Sequence, residues 1–444
     1  MKIRVAYDIS RLAESFVRGD ATDGIDRVSE ELLTALSQRS DIDLAVVNLC
    51  SEGDPLYDSV ESHLYFKSHK DKIGSTLAPS FKSRLGLTRF YHDAFVACNA
   101  EELSGVANHS LNSIIKRRIR GVLYRLRYTH GIDRVYRQLG RGSYDVFHSP
   151  FMPLPAPTIT NGIPRVLTVY DLIPILAPEL VGSEAIADLR RVLDSIRIEH
   201  DWVTCISHHT KAEFCEYTGM APERVFVTPL AAAPHFHPVC DEVQIAAVRR
   251  RYGLHEGPYL LSVAAPQPRK NLAHLIRCFF RLLNEQPGLD ATLVLAGSKD
   301  RGWLHHEIFV TADNSKHRNR VVFTGFVADK DLAALYSGAV AFIYSSLYEG
   351  FGLPPLEAMA CGTPIISSNQ TALPEVVGDA GILVAPTDED ALCEAMLTLL
   401  QNRELRRTLR RQGLERARHF TWANCAEQTA NVYRAALSEN RPRR

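Results

Sequence analysis

Two carboxylates, Glu349 and Glu357, flank Gly350-Phe351-Gly352-Leu353 in the stretch Ser346-Leu-Tyr-Glu-Gly-Phe-Gly-Leu-Pro-Pro-Leu-Glu-Ala-Met-Ala-Cys-Gly-Thr-Pro-Ile-Ile366. An apolar strand (340–344) leads in, a glycine turn follows, and then come a short helix and a further strand. Gly350 and Gly352 carry no side chain to block close approach by a ligand. Backbone N–H groups and the positive end of a helix dipole would face whatever sits there, an arrangement suited to the phosphates and hydroxyls of a sugar nucleotide. A second group, Arg269-Lys270, follows an apolar run (259–263) and stands at the mouth of a helical pattern. Adjacent cations are electrostatically poor at a helix start unless an anion binds there, and arginine suits bidentate contact with a diphosphate. The plain alternatives are a strand-to-helix turn with an exposed Glu357 and a solvated basic pair.

Elements of two kinds must position these groups. Short apolar runs alternate with helical patterns almost from end to end, which predicts parallel sheets built from crossover units. Strands are expected at 3–7, 44–49, 146–148, 165–169, 202–206 and 225–228 in the first half. The second half repeats the rhythm at 259–263, 292–296, 321–324, 340–344, 364–367 and 381–384. Pro229 to Pro238 has neither period and reads as the connection between two domains. Ligands of such sheets bind at the carboxyl ends of the strands, so facing domains would enclose a cleft.

The chain has 444 residues, too many for one ordinary core, with 45% hydrophobic and 23% charged residues. Its 51 basic and 51 acidic side chains cancel, so no global field favours nucleic acid. Nine scattered cysteines form no C-x-x-C pair and read as free thiols of a reducing compartment. The first residues enter a strand directly, and no run of 18 or more apolar residues follows. A cytoplasmic protein is expected. His208-His209, His235-Phe-His237 and His305-His306 match no metal-ligand spacing, and Asp41-Ile-Asp43 and Asp388-Glu-Asp390 read as turn and cap residues. No metal and no cofactor are expected.

Arg269-Lys270, the Glu349 to Glu357 segment and Gly325-Phe326-Val327 after a strand resemble the family 4 glycosyltransferases of the GT-B fold. Supporting marks are Asp171-Leu-Ile-Pro174, Ser207 after a strand, Val227-Thr-Pro-Leu230, Leu295-Ala-Gly297 and the Phe420-Thr-Trp422 helix start. The resemblance covers nearly the whole chain. It implies an α/β architecture of two Rossmann-like doubly wound domains facing a central cleft: an acceptor-side domain at 1–235 with a basic insertion at about 70–141, a nucleotide-sugar domain at 236–421, and a terminal helix, 422–444, crossing back to the first.

It also implies roles. Arg269 and Lys270 would neutralise the nucleotide diphosphate as it leaves, and Glu357 would bond the ribose. Glu349 would meet the donor sugar with the amides around Gly350, Phe351, Gly352 and Leu353, while the base would lie near Phe326 and Val327. Gly24, in Thr22-Asp-Gly-Ile-Asp-Arg27, resembles the family's glycine loop, though a second adjacent glycine is missing. Asp171 sits at a strand end on the catalytic side, where Tyr170 replaces the histidine many members carry. A tyrosine can donate to a sugar hydroxyl but is no base near neutral pH. Arg27, His148 and Ser207 fall on the acceptor side, with Arg27 also readable as a surface charge and His148 as a satisfied core histidine.

The resulting expectation is a retaining, metal-independent transferase that moves a hexosyl unit from a GDP-mannose-type or UDP-glucose-type donor to a glycan acceptor in surface polysaccharide assembly. A lipid-linked acceptor is suggested by the segment Lys116–Arg141, whose cations lie beside Ile115, Ile119, Val122, Leu123 and Leu126 at helical spacing. That pattern suits a helix on an anionic membrane surface, and equally a solvated basic helix packed on its own domain. The competing functions are a sugar-nucleotide epimerase of the same fold and a non-catalytic glycan-binding partner subunit.

Overall fold

The computed structural model describes residues 2–19, 24–74, 76–103, 115, 118–119, 121–122, 135–297, 305–313 and 315–439. Its first half contains strands β1 (Ile3–Asp8), β2 (Ile42–Val47), β3 (Thr76–Leu77), β4 (Phe81–Ser83), β5 (Val135–Arg137), β6 (Val146–Ser149), β7 (Arg165–Val169), β8 (Trp202–Cys205) and β9 (Val225–Val227). A parallel sheet runs in the order β3-β2-β1-β6-β7-β8-β9, with β4 and β5 paired antiparallel beside it. The second half contains β10 (Tyr259–Val263), β11 (Thr292–Ala296), β12 (Val321–Gly325), β13 (Ala341–Tyr344), β14 (Ile365–Ser368) and β15 (Gly381–Val384). These form a second parallel sheet, ordered β12-β11-β10-β13-β14-β15.

Every position of β6, β7, β8 and β13 is buried, as strands covered on both faces by helices must be, which is why they read as unbroken apolar runs. The strand order reverses between β10 and β13, and in the first sheet between β1 and β6. At such a reversal the crossover helices leave on opposite faces and a crevice opens at the carboxyl ends of the strands.

The helix Trp422–Glu439 buries Cys425, Ala426, Ala430, Tyr433 and Ala436 in one cluster with Val5, Tyr7, Leu33 and Val146 of the first half. Another cluster joins the halves directly: Val28 and Ile206 pack with Phe351, Leu356 and Leu373. All nine cysteines are free thiols.

Within the insertion, β3, β4 and β5 are too short to have carried a period and were not expected. Most of Lys116–Arg141 lies outside the described residues, as do Thr22 and Asp23. Of its cations, Arg137 is not a surface charge: it donates to the buried Asp58 carboxylate and to the Gly53 carbonyl, each at 2.5 Å. Asp388 caps the helix Glu389–Gln401 by accepting from the Ala391 N–H, and Asp41 pairs with Arg39, so both acidic pairs serve local structure. Among the described residues no helix is long and apolar enough to cross a membrane.

Candidate active site

β10 ends in a single tight turn, Pro268–Lys270, and Asn271 then takes a left-handed conformation (φ 55°) that starts the helix Leu272–Glu285. The Asn271 side chain offsets this local cost by donating to the carbonyls of Pro386 (2.8 Å) and Ser345 (3.3 Å). Leu347 N–H donates to the Arg269 carbonyl at 2.7 Å, tying this turn to the loop after β13. The two loops at the switch point are thereby one unit.

Their charged groups converge. Glu349 accepts from Arg269 Nη1 at 2.5 Å and from Lys270 Nζ at 2.6 Å, and the Tyr344 hydroxyl donates to it at 2.9 Å. Lys270 also donates to the Tyr344 hydroxyl. Burial works to raise the Glu349 carboxyl, but Arg269 and Lys270 override it and hold the group down at about 2. Burial pulls the Lys270 ammonium down to about 8, with Arg269 adding repulsion. Two cations therefore share the Glu349 carboxylate in a partly dry site with the Asp171 carboxyl nearby, and an added anion would relieve the repulsion between them.

Groups of the first half close over this centre. Gly350 abuts the end of β7: a Cβ there would stand 2.2 Å from the Tyr170 carbonyl oxygen and 2.8 Å from the Asp171 Cβ. Thr210 Oγ1 bridges the same junction, 3.2 Å from the Gly350 carbonyl and 3.3 Å from that of Tyr170. Burial raises the Asp171 carboxyl, and Arg269, from the opposite half, opposes the rise. Glu375 accepts from the backbone N–H groups of His208 and His209, 3.0 Å each, at the start of the helix His208–Thr218. Arg27 reaches across to Glu357 Oε1 (3.1 Å) and Asp329 (3.2 Å).

Residues 245–416, which contain this switch-point unit, match the family described as "Glycosyl transferases group 1". The chain is 32% identical over 290 residues to O-antigen chain mannosyltransferase B of Escherichia coli, a match covering 65% of this chain and 74% of that one. The chain belongs to the group 1 glycosyltransferases. A second relative, the serotype-specific mannosyltransferase WbdA of Escherichia coli, is 32% identical over 265 residues, which are 59% of this chain and 32% of WbdA, so the match spans about a third of that relative's length. Anabaena HepE, solved in complex with UDP-glucose, aligns with a TM-score of 0.61 at 15% identity, covering 98% of this chain and 100% of that one. The fold of this glycosyltransferase is GT-B.

Several expectations need correction. The close approach that Gly350 permits is that of the first half's backbone, not of a ligand. Gly352 does need its freedom, at φ 128°, but Pro354 and Pro355 open the helix Leu353–Ala360 and remove two of the N–H donors expected at its mouth. What remains there for an anion is the amides up to Leu353. His148 is fully buried, with Nδ1 2.6 Å from the Tyr433 hydroxyl and Nε2 2.9 Å from Thr168 Oγ1, and burial pulls its pKa down to about 3. It is a core histidine rather than an acceptor-side group. Ser207 is buried and caps its helix by accepting from Thr210 N–H at 3.0 Å, which removes it from the acceptor side too.

Glu357 is not the exposed helix residue of the plain alternative: it is 5% exposed and bonded to the Tyr336 hydroxyl at 3.1 Å, and burial raises its carboxyl against the pull of Arg27. Phe326 is 64% exposed while its neighbour Val327 is buried. Gly24 opens the helix Gly24–Ser37, which carries Arg27, and Tyr170 O–H lies 3.3 Å from Ser29 Oγ of that helix.

The sequence reading missed a group on the first half where it meets the loop after β13. His209 Nε2 lies 3.0 Å from Glu213, and the Tyr348 hydroxyl donates to the same carboxylate. His209 and Glu213 are four apart on one helix, a spacing visible in the sequence, but only the fold brings Tyr348 and Asp171 beside them.

Proposed function

We propose that this glycosyltransferase moves a hexosyl unit from a nucleoside diphosphate sugar to a glycan acceptor in polysaccharide assembly, with retention at the anomeric carbon and without a metal. The observation that carries this reading is the convergence of Arg269 and Lys270 on the buried Glu349 at the β10/β13 switch point, facing Asp171. The diphosphate lies against the two cations, which stabilise the charge that develops as the glycosidic bond breaks. Glu357 takes the ribose hydroxyls and the base lies by Phe326 and Val327. The sugar lies near Glu349 and the Phe351 and Gly352 amides. Tyr170 and Asp171 face the acceptor, joined there by the Glu213 group. No side chain is required as a nucleophile, because a donor phosphate oxygen can take the acceptor proton on the same face. A mannosyl donor is favoured over a glucosyl one by the names of the two Escherichia coli relatives, which are mannosyltransferases.

A lipid-linked acceptor at an anionic membrane surface is supported by exposed apolar side chains in the insertion: Leu85, Leu87, Phe90, Ile115, Ile119 and Val122. The test of the reading is incubation with GDP-mannose or UDP-glucose in chelator, with and without an oligosaccharide acceptor, followed by NMR of the product. An α-linked product formed only with acceptor is expected. Inversion, or rearrangement of the donor without acceptor, would overturn it, the latter in favour of an epimerase.

A further inference from the structure

A second constellation lies on the flank of the second half, outside the transfer site. The helices Leu272–Glu285 and Glu389–Gln401 pack against each other, and each presents two potential metal ligands four residues apart. These are His274 and Cys278 on the first helix, Glu389 and Cys393 on the second. Residues four apart share a helix face, so two such pairs on facing helices surround one point. The groups are gathered around the imidazole: one ring nitrogen faces Cys278 and the other faces Glu389, so an ion takes one nitrogen and a side-chain rotation brings the remaining ligand to it. His274 Nε2 is 3.5 Å from Cys278 Sγ, His274 Nδ1 is 3.9 Å from Glu389 Oε1, and one ligand atom from each of His274, Cys278 and Glu389 falls within a mutual 4.8 Å. Tetrahedral zinc, with bonds of about 2.3 Å to sulfur and about 2.1 Å to nitrogen, sets those two ligands about 3.6 Å apart.

We propose that His274, Cys278, Glu389 and Cys393 form a structural zinc site that clamps these two helices together. Cys393, now donating to the Cys278 carbonyl at 3.2 Å, supplies the fourth ligand by rotating its thiol. Both cysteines and His274 are buried, and Glu389 is half-exposed at the rim, where an ion can enter. Zinc binding releases two protons, one from each thiol, and leaves two thiolates, one carboxylate and one imidazole around the ion. Arg281 keeps its contacts with Asp390 (2.6 Å) and Glu285 (2.7 Å) when Glu389 turns inward. Because the first helix continues directly from Arg269-Lys270, the clamp would also steady the donor end of that helix. The chemistry of transfer takes no step through it.

The test uses the full chain stripped with chelator, then titrated with zinc against a chromophoric competitor, and separately with cobalt(II) as a spectroscopic probe. One zinc per chain is expected, with a rise in Tm, and cobalt should give intense tetrahedral visible bands together with a thiolate charge-transfer band. Glu389→Gln, at the rim, should weaken zinc at least about tenfold while the apo chain keeps its circular dichroism. Cys393→Ser should halve the thiolate band. Absence of stoichiometric binding, a weak six-coordinate cobalt spectrum, or zinc affinity unchanged in both variants would overturn the proposal, the last showing that the ion sits at another histidine pair.

Discussion

Lys270 offers a titration that reports on the donor site itself. Its ammonium is charged in the folded chain only below about 8, against 10.5 for an ordinary lysine, because burial and Arg269 both disfavour the charge. Folding stability accordingly carries the cost of this buried charge at neutral pH, a cost that fades as the pH climbs from 8 toward 10.5. A diphosphate placed beside it restores the charge, so nucleotide binding must take up a proton wherever the free site has lost one. At about pH 8.5 the uptake should reach roughly 0.7 proton, and affinity should be about fourfold weaker than at about pH 7, a loss of about 0.8 kcal/mol. Calorimetry of nucleoside diphosphate binding in buffers of different ionisation enthalpy reads both quantities. Lys270→Arg keeps its charge throughout this range, so its affinity, even if weaker overall, should be flat with pH. An equal pH slope in parent and Lys270→Arg, or no proton uptake at the higher pH, would refute the placement of the diphosphate against Lys270.

Glu349→Gln leaves the buried Lys270 and the part-buried Arg269 without their carboxylate and should cost about 3 kcal/mol, read as a fall in Tm that added nucleoside diphosphate partly reverses; an unchanged Tm would mean the three groups are not paired in solution. Arg27→Ala leaves Glu357 with the Tyr336 hydroxyl alone and should lower the urea midpoint by the equivalent of about 1–3 kcal/mol, with Arg27→Lys recovering part; no shift would mean the bridge between the halves does not form. Salt-sensitive binding to anionic liposomes should weaken when Arg117, Arg118 and Arg120 become glutamate, whereas equal binding by parent and variant would remove the membrane from the account.

The sheets were readable because strands covered on both faces by helices are continuous apolar runs, a signal that stands in the local sequence whichever helices do the covering. The switch-point residues were readable for a different reason: Arg269-Lys270 puts adjacent cations at a helix start, where they are unfavourable without an anion, and Glu349 to Glu357 sets two carboxylates around a glycine turn at a strand end. What the sequence concealed was which partner each group meets. Gly350 reads as room for a ligand, yet Tyr170, some 180 residues earlier in the chain, occupies that room. His148 reads as a polar group at a strand end, but the returning Tyr433 seals it into the core. Pairings such as Arg27 with Glu357, or Tyr348 with Glu213, leave no local periodicity and arise only when the two halves face each other. Glu389 and Cys393, like His274 and Cys278, are only a pair four residues apart in the sequence, and the fold alone brings the two pairs together.

The central claim is that Arg269 and Lys270 hold a nucleoside diphosphate without help from a metal. Calorimetric titration of GDP, UDP, ADP and CMP into the parent and into Arg269→Ala, in chelator, tests it most directly. The account predicts that one diphosphate binds in preference to the others and to CMP, and that Arg269→Ala loses at least about tenfold in affinity, or 1.4 kcal/mol. Binding of none of the four, or equal binding by parent and variant, would contradict it.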